Sequence, residues 1–275
     1  MKKLKRSARL VEMTQYLLAR PHTLISLTAF ADRYQSAKSS ISEDLAIIKE
    51  VFEEEGIGDL HTLAGAAGGV RYVPKSGKEQ ALQKITAVCR QLEQPDRLLP
   101  GGYLYMTDLL GQPALLQEIG RMFATAFADR DADVIMTVET KGIPLAFAAS
   151  VYLNIPVVIV RRDHKVTEGS VVSINYVSGS NKRIQTMSLT RRALKEQSRV
   201  LIIDDFMKAG GTIQGMVDLL HEFRATVAGV GVFVESGEID NEERLLHDYV
   251  SLASLREVDL KTRQIVVRPG NFFQS

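Results

Sequence analysis

The sequence predicts an α/β protein in two parts: a small three-helix domain with a hairpin over residues 1–74, then a larger doubly wound parallel sheet over residues 75–275. Three observations carry this expectation. Before Pro74, apolar residues recur at helical spacing. From Asp133 onward, short wholly apolar runs alternate with helical segments, the pattern of parallel strands buried on both faces. Between the two, Pro74-Lys75-Ser76-Gly77 marks a change of character.

In the first part Leu10, Met13 and Leu17 share one helical face, with Val11 and Leu18 beside them, and the helix stops before Pro21. A second helix carries Leu27, Phe30, Ala31 and Tyr34 on one side. A third begins near Ser40 and repeats Ile41, Leu45, Ile48 and Phe52. Ser40 and Glu43 have the spacing of a capping box, and Gly56 ends the helix. Residues 60–63 and 70–73 are strand-like runs, joined by the small-residue segment 64–69. Three helices and a hairpin make the pattern of a winged helix-turn-helix.

In the second part residues 134–138, 156–160, 200–203 and 227–234 read as strands. Residues 139–142 form a loop leading to a helix with Pro144 near its start, and residues 213–223 form a further helix. Ligands of such sheets sit at the carboxyl ends of strands. That rule directs attention to residues 139–142 and 204–212.

The most specific segment is VLIIDDFMKAGGT, residues 200–212. A strand ends in two carboxylates, and a small-residue loop then opens a helix. Gly210 and Gly211 let backbone N–H groups turn toward an anion, and the helix N-terminus and the Thr212 hydroxyl add to that pull. Asp204 and Asp205 repel phosphate but accept hydrogen bonds from sugar hydroxyls beside it. Together these groups suit a ribose 5-phosphate.

This segment resembles the fingerprint of type I phosphoribosyltransferases. The resemblance implies that Asp204 and Asp205 hold the ribose of phosphoribosyl pyrophosphate. Lys208, Ala209, Gly210, Gly211 and Thr212 would hold its 5-phosphate, and Phe206 between them is counted with the site. Residues 139–142 look like the pyrophosphate loop, with Lys141 as a contact and Gly142 allowing close backbone approach. The long polar stretch from Arg161 to Leu189 stands where the family has a mobile loop, from which Lys165 and Arg183 could reach the ligand. Two departures matter. Ala209 replaces a common threonine donor. Lys208 stands where the hypoxanthine-guanine branch carries an aspartate base, and a cationic lysine cannot accept the purine proton. No catalytic residue is therefore assigned, although a branch that needs no such base stays open.

Lys2, Lys3, Lys5, Arg6 and Arg9 crowd the N-terminus, a cluster able to neutralise DNA phosphates. Lys38, Ser39, Ser40 and Ser42 span the start of the third helix, the part of a helix-turn-helix that enters the major groove first. Ser40 is the better candidate for a helix cap. Arg71 on the hairpin is placed for backbone or minor-groove contact. Glu50, Glu53, Glu54 and Glu55 confine DNA contact to the first turns of that helix.

Fused to a winged helix, the phosphoribosyltransferase-type segment resembles the purine operon repressor family of Gram-positive bacteria. SAKSSISEDL, LPGGYLYMTDLL, VTEGSVVSINYVSGS and DDFMKAGGT are the stretches that carry the likeness. It implies a homodimer bound to operator DNA that represses purine synthesis and transport genes, with phosphoribosyl pyrophosphate as the inducer. It also implies that Tyr103 borders the base or pyrophosphate side of the pocket. Competing nucleotides are open as rival occupants. A working purine phosphoribosyltransferase with a regulatory DNA-binding domain is the alternative, and an RNA-binding regulator on the same fold is a third.

Composition narrows the rest. A net charge of +1 means that nucleic-acid affinity has to come from local clusters. The single cysteine, Cys89, excludes an internal disulfide and fits a reducing cytoplasm. No apolar run has the length of a membrane span, and the polar residues after MKKLKR read against an export signal. No dedicated metal cage is expected, because the five histidines lack the spacing of a zinc site. Magnesium is expected only as the companion of phosphoribosyl pyrophosphate.

Overall fold

The computed structural model describes residues 4–65, 68–99, 103–162, 169–177, 184–237 and 244–274. Lys2, Lys3, Lys165 and Arg183, singled out above, lie outside the described residues. The chain divides into two compact units, Met1–Gly77 with Tyr152–Asn154, and Lys78–Val151 with Ile155–Ser275.

The first unit runs α1 (Arg6–Leu18), β1 (Leu24–Ser26), α2 (Leu27–Tyr34), α3 (Lys38–Glu54), β2 (Gly58–Leu63) and β3 (Gly69–Pro74). β2 and β3 form the expected hairpin, with Leu60 opposite Tyr72 and Thr62 opposite Val70. β1 pairs with the other edge of β3, making an antiparallel sheet in the order β1-β3-β2. Three residues are too few to show periodicity, so only pairing reveals β1. The core joins Met13, Leu17, Phe30, Ile41, Leu45, Ile48, Phe52, Leu60 and Tyr72.

Three expectations for this unit need correction. Val11 and Leu18 are exposed, and the buried face of α1 is Arg9, Met13 and Leu17. Arg9 is therefore an internal residue rather than part of a DNA-facing cluster. The capping box does not form either. α3 starts at Lys38 with Ala37 at its N-cap and no side-chain cap, so Ser40 lies within the first turn. The left-handed Gln35 (φ 49°) redirects the chain early enough to add that turn, and Glu43 faces Arg6 at 3.8 Å. The far end of α3 is as expected: Gly56 N–H donates to Glu53 O (3.3 Å) and Ile57 N–H to Phe52 O (2.9 Å), a Schellman closure.

The second unit contains α4 (Lys78–Leu92), β4 (Leu98–Leu99), β5 (Tyr103–Leu104), α5 (Pro113–Phe127), β6 (Val134–Val138), α6 (Gly142–Leu153), β7 (Val157–Val160), β8 (Val171–Val177), β9 (Ile184–Thr190), β10 (Arg199–Met207), α7 (Gly211–Glu222), β11 (Thr226–Ser236), β12 (Val250–Asp259) and β13 (Gln264–Pro269). The main sheet has the order β7-β6-β10-β11-β12-β13. All neighbours are parallel except the β12–β13 pair. β6 crosses through α6 to one side, whereas β10 crosses through α7 to the other. Right-handed crossovers then place α6 and α7 on opposite faces, which is the doubly wound arrangement. The order reverses between β6 and β10, so a ligand crevice belongs at their carboxyl ends.

β10 is longer than its apolar run, because parallel pairing with β11 continues through Asp204 and Phe206 to Met207. The acidic pair is thus held in the sheet rather than in a loop. The polar stretch after Arg161 also differs from a plain lid. Among the described residues it supplies the β8–β9 hairpin, whose Val172, Tyr176, Met187 and Leu189 join the core against α7. Its exposed positions mix polar Ser173, Asn175 and Thr186 with apolar Val177 and Ile184, so no clean alternation marks the hairpin in sequence. β12 and β13 complete the sheet and had no counterpart in the sequence reading. Cys89 is buried on α4; burial, aided by the Glu93 charge, pushes its thiol up to about 12, which makes it a poor nucleophile at neutral pH.

Candidate functional site

A cleft of about 630 Å³ opens at the carboxyl ends of β6 and β10. Its floor is the acidic pair. Asp204 is 3% exposed, and its Oδ1 accepts the Asp205 N–H at 2.9 Å. Burial first, and then the neighbouring Asp205 charge, hold the Asp204 carboxyl well above the usual carboxylate range. Burial also raises Asp205, opposed by its hydrogen bonding with Asp204 and by the charge of Lys141. A group that hydrogen-bonds both carboxylates, such as a vicinal diol, fits this floor.

Two cations face the pair. Lys141 follows β6, and Arg162 follows β7, and both line the cleft. Glu139 draws these strand ends together: it accepts from Arg161 Nη1 at 3.1 Å and from the Arg162 N–H at 2.7 Å. Sequence reasoning missed Arg162, because only the pairing of β6 with β7 brings it to the Asp pair. Lys141 was legible as part of a loop motif.

Gly142 is required by contact. A Cβ there would sit 2.2 Å from Thr137 Oγ1 and 3.0 Å from Asp204 Oδ1. Gly142→Ala is therefore expected to push α6 off β6 and to lower stability by about 1–3 kcal/mol, the usual effect of overpacking. A urea titration of the variant checks this; an unchanged midpoint would contradict the contact.

Lys208, Ala209, Gly210, Gly211 and Thr212 form the opposite wall as the loop from β10 into α7. Gly210 caps α7 with φ 89°, a left-handed conformation that favours glycine, and its carbonyl accepts the Gln214 N–H at 2.8 Å. The first N–H groups of α7 have no partners within the helix, which creates an anion-attracting end. Lys208 is exposed beside it. Phe206 and Tyr103 also line the cleft, Tyr103 from β5. The structure thus brings to the cleft every described residue assigned to this pocket from sequence except Gly142, which is buried behind the floor against Thr137 and Asp204. Among the described residues, no group of three or more His, Cys, Asp or Glu side chains is placed to hold a metal ion.

On the first unit, Lys5, Arg6, Lys38, Ser39, Ser42 and Arg71 are exposed, and Ser40 is half-buried. Arg6 has a structural partner as well, since its Nε donates to Asp44 Oδ1 at 2.9 Å. Asp44 is fully buried and also takes Arg9 Nε on Oδ2 at 2.5 Å. Arg9 Nη1 reaches Ser36 Oγ at 3.1 Å, in the turn between α2 and α3. This network fixes the rotation of α3, so that Ile41, Leu45 and Ile48 face inward while Lys38, Ser39 and Ser42 face out. The charge pattern could not reveal it, because an Arg in a basic terminus reads as solvated.

Comparison with known proteins agrees with both halves. Residues 5–74 match the family model described as "Bacterial purine repressor, N-terminal". Residues 106–268 match "Phosphoribosyl transferase domain". The purine biosynthesis transcriptional repressor PurR of Bacillus subtilis (strain 168) is 59% identical over 272 residues, 99% of this chain and 95% of that protein. The purine biosynthesis transcriptional activator PurR of Lactococcus lactis subsp. lactis (strain IL1403) is 45% identical over 270 residues, 98% of this chain and 99% of that protein. Among solved structures, adenine phosphoribosyltransferase from Thermoanaerobacter pseudethanolicus superposes with a TM-score of 0.53 at 22% identity, covering 60% of this chain and 97% of that one, a likeness of fold alone.

Fold and site together define a class: a winged-helix reading head carried on a phosphoribosyltransferase-type domain. Within that class, the chain belongs to the PurR family of purine biosynthesis transcriptional regulators.

Proposed function

We propose that the protein is a repressor of purine biosynthesis and transport genes that binds operator DNA through its first unit and is induced by phosphoribosyl pyrophosphate bound at the β6–β10 cleft. The observation that carries this reading is the pair of buried Asp204 and half-buried Asp205 beside the glycine loop of residues 208–212, in a chain that also has a winged helix. Asp204 and Asp205 receive the ribose hydroxyls, the loop receives the 5-phosphate, and Lys141 and Arg162 offset the pyrophosphate charge. Magnesium travels with the pyrophosphate oxygens. Induction requires that the effector bind the state with low DNA affinity more tightly than the other. Repression rather than activation is favoured by the 59% identity to a protein named a repressor. The working form is a homodimer in the cytoplasm, reading a two-fold operator.

A gel-shift titration tests the reading. Phosphoribosyl pyrophosphate is expected to release operator DNA, and undiminished binding at saturating ligand would refute the inducer role. Purine nucleotides added in the same assay reveal whether they compete. Lys38→Ala and Arg71→Ala are each expected to weaken binding across sequences and to reduce the salt dependence by about one counter-ion. Fluorescence anisotropy at several salt concentrations reads that slope.

The phosphoribosyl transferase match supports a second reading, a working enzyme. Lys208, exposed at the cleft where one enzyme branch has its base, weighs against turnover. Incubation with purine bases, phosphoribosyl pyrophosphate and magnesium decides it. Pyrophosphate release at ordinary enzyme rates would establish catalysis.

A further inference from the structure

The loop of residues 208–210 is braced from outside the β10–α7 turn. The Leu245 N–H donates to Ala209 O at 2.9 Å, and Leu246 Cβ lies 3.4 Å from where a Cβ on Gly210 would stand. A trans peptide is planar, with its C=O and N–H pointing in opposite directions. Holding the Ala209 carbonyl toward Leu245 therefore also sets the direction of the Gly210 N–H. Gly210 is free to rotate more widely than other residues, so this tether does more there than it would elsewhere.

Leu245 is itself held by its neighbour. Arg244 is buried, and its Nη1 donates to the buried Glu235 Oε2 at 2.8 Å. Its Nη2 donates to Ser236 O at 2.7 Å, so one guanidinium grips both the side chain and the backbone at the end of β11. The Tyr249 hydroxyl closes the knot by contacting Glu235 and Arg244, and the Ser251 hydroxyl donates to Glu235 Oε1 at 3.3 Å. Planar two-pronged contacts of this kind specify direction as well as distance. None of these residues lines the cleft.

We infer that Arg244, anchored on Glu235 and Ser236, is a positioning residue that aims the 208–212 loop through the Leu245–Ala209 hydrogen bond. Its functional sense rests on the reading of that loop as the phosphate site. The geometry also predicts how the effect divides: effector affinity depends on the knot, and operator affinity in the absence of effector does not.

The test uses the full chain with three variants. Leu245→Pro deletes the donor N–H on a residue whose side chain is exposed, and it also fixes φ there and restricts the backbone of Arg244, so it is read together with the Arg244 variants. Arg244→Gln removes the two-pronged grip, and Arg244→Lys restores one donor to Glu235. Hydrogen exchange is followed over residues 207–214, phosphoribosyl pyrophosphate binding by calorimetry, and operator binding by anisotropy. Leu245→Pro and Arg244→Gln are expected to speed exchange in that segment and to weaken the ligand by about tenfold, roughly one charge-assisted hydrogen bond. Operator affinity stays within about twofold, a change near the scatter of surface substitutions, and Arg244→Lys recovers part of the ligand affinity. Unaltered exchange over residues 207–214 in both disruptive variants overturns the inference, as does a rise spread evenly over the whole second unit, which would mark a general brace. If the wild type binds no phosphoribosyl pyrophosphate but the local exchange response appears, the positioning role stands and the effector assignment falls.

Discussion

Asp205→Asn is expected to weaken phosphoribosyl pyrophosphate by about 10- to 100-fold, the range set by losing one or two hydrogen bonds to a charged acceptor, while operator binding is retained but no longer released by the ligand. The carboxylates line the floor of the cleft, whereas the residues proposed to meet DNA belong to a separate unit. Calorimetry and a gel shift on the same preparation check both halves. Loss of operator binding in a folded variant would mean that the pair supports the reading head and not the effector.

Asp204→Asn carries a second, opposite signature. Burial holds this carboxyl well above the usual range, so the folded state binds its proton more tightly than the unfolded chain does. Stability supplied by that proton is complete below the unfolded value of about 3.9 and is lost as pH rises through the folded value. At neutral pH the ligand-free protein therefore carries a desolvation cost that the Asp205 N–H and Arg162 only partly offset, and asparagine removes it. The variant is expected to bind ligand poorly yet melt higher at pH 7, by roughly 2–4 °C for each 1 kcal/mol recovered. Its advantage over the wild type shrinks toward pH 4. Scanning calorimetry at two pH values reads this, and an equal gap at both would contradict the assignment.

The second large effect is expected from Asp44→Ala. This carboxylate is fully buried and receives both Arg6 and Arg9. Its removal leaves the Arg9 guanidinium buried without its charge partner, a change of about 3–5 kcal/mol. The first unit is small, so such a loss approaches its whole stability. The expected outcome is loss of operator binding with ligand binding preserved, the mirror image of Asp205→Asn. Arg9→Met, which keeps the apolar stem, tests the same network from the other side. Wild-type operator affinity in Asp44→Ala would show that the network does not orient α3.

Much of this molecule was readable from its chain. Periodicity located α1, α2 and α3, and the hairpin followed from two apolar runs about a glycine-rich turn. The glycine loop of residues 208–212 was legible because a turn from a strand into a helix start that exposes backbone N–H groups needs glycine, a local arrangement that leaves a local trace. The same holds for Lys141 and Gly142. What failed was non-local. The capping box had the right spacing, yet Gln35 turned the chain early and α3 began at Lys38. β1 exists through pairing with the distant β3 and β12 through pairing with β11, while β8, β9 and β13 form hairpins whose sequences read as polar or irregular.

The sequence by itself determined the two-part architecture and most of the residues that line the cleft, because helix periodicity, buried-strand hydrophobicity and glycine-rich strand-to-helix turns are written over a few consecutive residues. Tertiary structure alone decided which charges are free to meet a ligand. Arg6, Arg9 and Arg244 are indistinguishable in sequence from solvated arginines, but folding places Arg9 and Arg244 beside the buried Asp44 and Glu235 and leaves Arg162 facing the acidic pair. The physical reason is that a charge takes its role from whichever opposite charge or solvent the fold brings within a few ångströms, and that neighbour lies many residues away along the chain.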